Sequence, residues 1–206
     1  MPQLWRDISI PMHPGMTTWP GDPVYQFDAA ARIADGASCN LSEIRLCTHT
    51  GTHCDAPWHF IDTGKTLDRV DLSVFMGEAL VLDLSAVDVI RAADLPQARL
   101  PERILFKTRN SDRPADAPFD PAFTALEEDA AARIAGDGVH LVGIDALSIA
   151  VKGKSSPVHR TLLGAGVIVV EGLRLAGITP GVHEFIALPL PLSGADGAPC
   201  RALLRD

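Results

Sequence analysis

The chain has 206 residues, of which 47% are hydrophobic and 21% charged, and its net charge is −8. That length suits one domain spanning 1–206 with a full core of its own. The acidic balance excludes a nucleic-acid binder, which needs a basic stripe to neutralise phosphates. With no apolar run of about 18 residues and no basic amphipathic helix, membrane association is excluded as well.

The start, "MPQLWRDIS", lacks the charged and apolar regions of a signal peptide, so a cytoplasmic protein is expected. Cys39, Cys47, Cys54 and Cys200 show no CxxC spacing, and in a reducing compartment they are free thiols. "PMHPGMTTWPGDP" (11–23) is loop, because Pro and Gly break both regular structures. "LSEIRLCTHT" (41–50) alternates like a strand. "ALVLDL" (79–84), "RILFKT" (103–108), "VHLVGID" (139–145), "GVIVVEGL" (166–173) and "HEFIALPLPL" (183–192) read as strands from their aliphatic and β-branched runs. A weak helical pattern covers 86–95. A stronger one covers 120–138, with Asp120 as cap, Pro121 in the first turn, a stripe of Phe123, Leu126, Ala130 and Ile134, and Gly136 after its end. The polar stretch 109–118 between them is a surface loop. Uniformly apolar strands imply a sheet covered on both faces, hence an α/β fold.

"HTGTHCDAPWHF" (49–60) holds three of the chain's seven histidines. Thr48, Thr50, Thr52 and Gly51 resist a helix. In an extended strand, positions 49, 51, 53 and 55 share a face. His49 and His53 would then stand roughly 13 Å apart, too far to share an ion; a bend at Gly51 shortens the reach. Pro57 turns the chain so that His59 can face back. Two imidazoles with the Asp55 carboxylate make a mixed N/O set that suits Zn, Mn, Fe or Co. Three unrelated histidines are the alternative. Cys54 points to the opposite face, as a packed thiol or, alternatively, as a ligand or nucleophile. Glu171 closes the apolar run "GVIVV", and a carboxylate there needs a cation, either a metal or an Arg or Lys. His159 lies in a loop or helix start just upstream. His13, His140 and His183 read as structural, and Asp145 as a strand-end residue with either a functional or a turn-forming part.

The motif resembles the HxGTHxDxPxHF signature of the cyclase-like metal hydrolases, a family that includes bacterial kynurenine formamidases, the nearest resemblance, and isatin hydrolases. "WPGDP" (19–23), "GID" (143–145), "VHRTLL" (158–163), "VVEGL" (169–173) and "FIALPLPLSGADGAPCRALLRD" (185–206) extend the resemblance over nearly the whole chain. It implies a swivelling β/α/β fold in a single domain with a mixed sheet, a homodimer, and a small-molecule substrate. It also implies that His49, His53 and Asp55 bind one metal, and that Asp55 and Glu171 bridge to a second completed by His159. One or two zinc ions are implied, with manganese as the substitute. His59 becomes the acid/base group and Trp19 lines the substrate pocket. The implied reaction is hydrolysis of N-formyl-L-kynurenine to L-kynurenine and formate. Isatin or another cyclic amide is the rival substrate, and a non-catalytic metal-binding module the rival class. The family's Pro-Ser-x-Asp-Pro and Ser-Lys after "GID" are replaced here by "ALSIAVKGKSSPVHR" (146–160), a segment expected to shape the pocket.

Overall fold

The computed structural model describes residues 4–114 and 117–205. In chain order the strands are β1 (Arg6–Asp7), β2 (Gln26–Ala31), β3 (Leu41–Arg45), β4 (His53–Asp55), β5 (Met76–Asp83), β6 (Arg103–Lys107), β7 (Leu141–Ile144), β8 (Ile168–Glu171), β9 (Gly181–Pro189) and β10 (Gly197–Arg205). Two α-helices interrupt them, α1 (Glu128–Asp137) between β6 and β7 and α2 (Ser155–Gly164) between β7 and β8.

One large sheet runs in the order β1-β10-β4-β8-β7-β6-β5-β9, and β9 pairs again with β10. The seven strands from β10 to β9 therefore close on themselves as a barrel, with β1 laid on β10. Closure leaves few unpaired strand edges to be protected. Strands β5 to β8 are parallel, and every other pairing is antiparallel.

Alternation sorts the side chains into two cores. Cys54, Ala79, Val81, Leu105, Leu141, Val170, Phe185, Ala187, Ala202 and Leu204 gather in one, inside the barrel. Ile104, Phe106, Val142, Ile144 and Val169 point outward and meet Ala130, Ala131 and Ile134 of α1 and Val158, Leu162 and Leu163 of α2. Burial of both faces is why these parallel strands read as continuous apolar runs. Each fully buried Leu, Ile or Phe contributes about 1.5–3 kcal/mol.

Several elements depart from the sequence reading. The helix expected over 120–138 begins only at Glu128. Asp120 does cap locally, accepting from the Ala122 N–H at 2.9 Å, but Phe123 to Leu126 are all buried and no helix could bury four consecutive residues on one stripe. Leu126 instead bridges Ile90 and Ala150. The helix ends at Gly138, in the left-handed region at φ 75°, and Gly136 lies inside it. No α-helix forms over 86–95, only a 3-10 turn at Ala92–Asp94: Ile90 N–H bonds to Ala125 O and Glu127 N–H to Ile90 O, so tertiary backbone bonds outweigh a weak propensity. Over 41–50, pairing stops at Arg45, and β3 joins only β2 in a separate exposed hairpin. Of the expected loop 109–118, Arg109–Asp112 is a 3-10 turn, and residues 115 and 116 lie outside the described residues. No helix among the described residues is long and apolar enough to cross a membrane, and all four cysteines are free thiols.

Candidate metal centre

The cluster forms on the outer face of the barrel where β4 meets β8. In that antiparallel pair His53 is the register partner of Glu171, and Asp55 that of Val169. Alternation sends His53, Asp55 and Glu171 outward together, while Cys54 turns into the barrel, fully buried, with its thiol 3.6 Å from Ala187 O. The chain before β4 bends at Gly51, φ 68°, which brings His49 back over the strand. After β4 the 3-10 turn Pro57–His59 presents His59. His159 comes from α2, which packs on β8.

The donor atoms converge. His53 Nε2 is 3.4 Å from Asp55 Oδ1 and 3.4 Å from Glu171 Oε2. His159 Nε2 is 3.1 Å from Glu171 Oε1 and 3.5 Å from Asp55 Oδ2. His49 Nδ1 is 2.9 Å from Asp55 Oδ1. The far nitrogens are held by backbone: His53 Nδ1–H donates to Gly51 O at 2.9 Å and His159 Nδ1–H to Ser155 O at 2.8 Å. Each ring thus turns Nε2 inward, the nitrogen whose lone pair a metal would take once its proton is displaced. Ile149 N–H donates to Glu171 Oε1 at 2.7 Å, so the unusual 146–160 segment orients two members of the cluster.

Electrostatics tell the same story. Burial alone would lower the histidine pKa values, yet the carboxylates overcome it. Asp196 and Asp55 hold His49 at about 10, Asp55 and Glu171 hold His159 at about 10, and the same pair holds His53 well above its usual range. Burial pushes Asp55 up, but its three imidazole neighbours bring it well below the usual carboxylate range. Glu171 is raised by burial and by Asp55, and its histidine neighbours carry it below normal on balance. Two buried carboxylates face one pocket of imidazoles and demand positive charge.

A metal fits that demand. His53 Nε2 and Asp55 Oδ2 are buried with no hydrogen-bond partner, which is costly unless a cation takes them up. His53, Asp55 and Glu171 can offer ligand atoms within 4.8 Å of one another, and so can His49, Asp55 and His59. All the donors are imidazole or carboxylate, a set suited to zinc or manganese.

The remaining predicted residues fall as follows. His59 stacks on His49 with ring centroids 4.0 Å apart. Trp19 packs edge-on against Phe119 at 5.3 Å and Phe123 at 6.1 Å. Those two phenylalanines, though not Trp19 itself, line an open cleft of about 100 Å³ together with Ile10, Leu173, Arg174 and Gly172, the residue after Glu171. Asp145 is a turn former, accepting from Thr108 and Ser111 through backbone and hydroxyl groups. His183 is buried on β9 and bonds Thr179 O; His13 and His140 are exposed.

Sequence reasoning missed Asp196. Its carboxylate meets His49, His59 and Thr48, but it lies 147 positions from His49 in a Gly/Ala-rich stretch that carries no spacing signal.

A family model described as "Putative cyclase" matches residues 6–151. A protein named "Kynurenine formamidase" from Salinibacter ruber is 40% identical over 205 residues, covering 97% of this chain and 96% of its own. The chain belongs to the cyclase family. A solved structure described as a "predicted metal-dependent hydrolase from Bacillus stearothermophilus" superposes at a TM-score of 0.87 with 35% identity, each chain covered in full. Isatin hydrolase A from Labrenzia aggregata superposes at 0.85 over 98% of this chain and 93% of its own, at 22% identity, which shows a shared fold.

Proposed function

We propose that the chain is a metal-dependent amidohydrolase that cleaves an aryl formamide, N-formyl-L-kynurenine to L-kynurenine and formate. One observation carries the reading: two buried carboxylates, Asp55 and Glu171, converge with the inward-facing nitrogens of three buried or nearly buried imidazoles. The 40% identity to a kynurenine formamidase over 97% of the chain supports the substrate. In this reading His49, His53 and Asp55 hold one ion, and Asp55, His159 and Glu171 hold a second, zinc or, in its place, manganese. When bound, such ions bring the pKa of a water toward about 7 and withdraw electrons from a carbonyl oxygen.

The chain's own residues do the rest. Hydrolysis adds water across the formyl C–N bond: oxygen goes to the carbon, giving formate, and one proton goes to the departing aryl amine. His59, 27% exposed at the mouth of the cluster, accepts the proton from water at Nε2 and returns it to that nitrogen. Asp55 and Glu171, held ionised, keep the centre electrostatically ready at neutral pH. Trp19, with Phe119 and Phe123, supplies an aromatic wall for the aniline ring; such contacts contribute about 0.5–1.5 kcal/mol beyond burial. The same reading includes the swivelling β/α/β class, a single domain across 1–206, a homodimer and a cytoplasmic setting.

The test is hydrolysis by the zinc-loaded protein of N-formyl-L-kynurenine and isatin side by side. Release of kynurenine that stops on chelation and returns with zinc is expected. Preference for isatin transfers the substrate assignment; turnover unaffected by exhaustive chelation ends the reading.

A further inference from the structure

Asp196 stands on the turn leading into β10, one residue before Gly197, whose Cα pairs with Asp55. Its backbone carbonyl accepts the Ala56 N–H at 2.8 Å, so the turn is tied to the strand that carries the cluster. Its side chain has three partners. Oδ2 lies 3.0 Å from His49 Nε2 and 3.4 Å from His59 Nδ1, and Oδ1 accepts the Thr48 hydroxyl at 3.0 Å. The two imidazoles that share Oδ2 are stacked 30° apart. Gly197 makes the approach possible, because a Cβ there would come within 2.8 Å of His49 Cε1.

A carboxylate has no proton to give, so each imidazole nitrogen that faces it must carry one. His49 faces a carboxylate on both sides, Asp196 at Nε2 and Asp55 at Nδ1; a cation taken up beside Asp55 would displace the Nδ1 proton and leave the Nε2–H on Asp196. His59 bears its proton on Nδ1 and leaves Nε2 open. An isolated surface ion pair would be worth little. Here one oxygen serves two stacked rings, one of them only 13% exposed, and a hydroxyl fixes the carboxylate plane.

We infer that Asp196 is a positioning residue whose single carboxylate selects the tautomers of both His49 and His59. It turns one ring nitrogen of His49 to the ligand cluster and frees one ring nitrogen of His59 for proton transfer. The His59 half rests on the reaction proposed above; the His49 half rests only on the metal centre in that reading.

The experiment compares the parent with Asp196→Ala and Asp196→Asn, each with zinc. Zinc affinity is read by chelator competition, the protonated ring nitrogens by 15N imidazole correlation spectra, and kcat and KM by formamide hydrolysis. In the parent we expect Nε2–H on His49 and Nδ1–H on His59. In Asp196→Ala we expect both assignments lost, zinc bound about 10–100-fold more weakly, and kcat lowered more than KM is raised. Asp196→Asn keeps an acceptor oxygen and should fall between the two; it also decides the matter if the alanine variant does not fold. Parent-like zinc affinity and parent-like spectra in the variants would overturn the inference. If the parent hydrolyses no formamide while the variants still bind zinc weakly, the proposed substrate falls and the positioning of His49 stands.

Discussion

His53 and Glu171 are register partners across β4 and β8, with Nε2 and Oε2 3.4 Å apart on the covered outer face of the barrel. An antiparallel ladder fixes that pairing as firmly as the backbone itself. His53→Ala leaves Asp55 and Glu171 facing each other with less compensation. We expect less than half the parent's metal content by elemental analysis, with activity lost in parallel. Full metal content in the purified variant would remove His53 from the ligand set.

His59 differs in kind, being partly exposed and stacked on His49 rather than aimed between the carboxylates. His59→Ala should keep its metal and lose about 10²–10⁴ in kcat, the usual scale of a general acid/base contribution. Parent-like kcat with normal metal content would show that another group moves the proton.

Metal removal should appear as lost stability, since an ion that binds only the folded chain stabilises by mass action. At a free concentration of 100 times Kd the gain is about 2.7 kcal/mol. For a chain of this size that corresponds to a Tm rise of about 5–10 °C, measured by calorimetry with and without chelator. A Tm indifferent to zinc would contradict a site built from buried donors.

Protons stand in for the metal when it is absent. His49 and His159 are each held at about 10 by their carboxylate neighbours despite burial, so both carry a proton at neutral pH in the metal-free chain. Ligation needs the lone pair, so binding must expel protons. Apparent affinity should therefore strengthen as pH rises from about 6 to 9, with proton release seen when titrations are compared in buffers of different ionisation enthalpy. The same shifts help the metal-free fold below the ordinary imidazole range, and that help fades as pH climbs through about 10. Affinity flat with pH, without proton release, would argue against histidine ligation.

Gly172 joins Glu171 to the loop that follows it at φ 69°, and a Cβ there would lie 2.5 Å from Gly51 O. That carbonyl accepts from His53 Nδ1–H. Gly172→Ala should cost about 1–3 kcal/mol in stability and weaken zinc binding by displacing His53. A variant with lowered Tm but parent-like zinc affinity would show that the Gly51 carbonyl does not hold the ring in place.

Local chemistry made much of this protein readable before any coordinates. Aliphatic runs marked β5 to β9: β6 to β8, buried on both faces, are apolar nearly throughout, and β5 and β9 keep apolar residues on their inner face. The crowding of His49, His53, Asp55 and His59, with a glycine where a bend was needed, marked the centre of the site. What it could not reveal was long-range. The two-residue β1 is too short to read, β2 lies almost wholly exposed and carries no long apolar run, and β10 earns its place by pairing with β4 and β9. The 120–127 segment looks helical until Ile90, Ile149 and Val151 take its backbone bonds. Glu171 and His159 gain their meaning from the β4–β8 register and from the packing of α2 on the barrel. Asp196 was invisible, because only the pairing of β10 with β4 carries residue 196 to residue 49. Periodicity and composition encode what a residue needs, burial or charge or a turn; which distant residue meets that need is set by strand pairing, and pairing is a property of the whole chain.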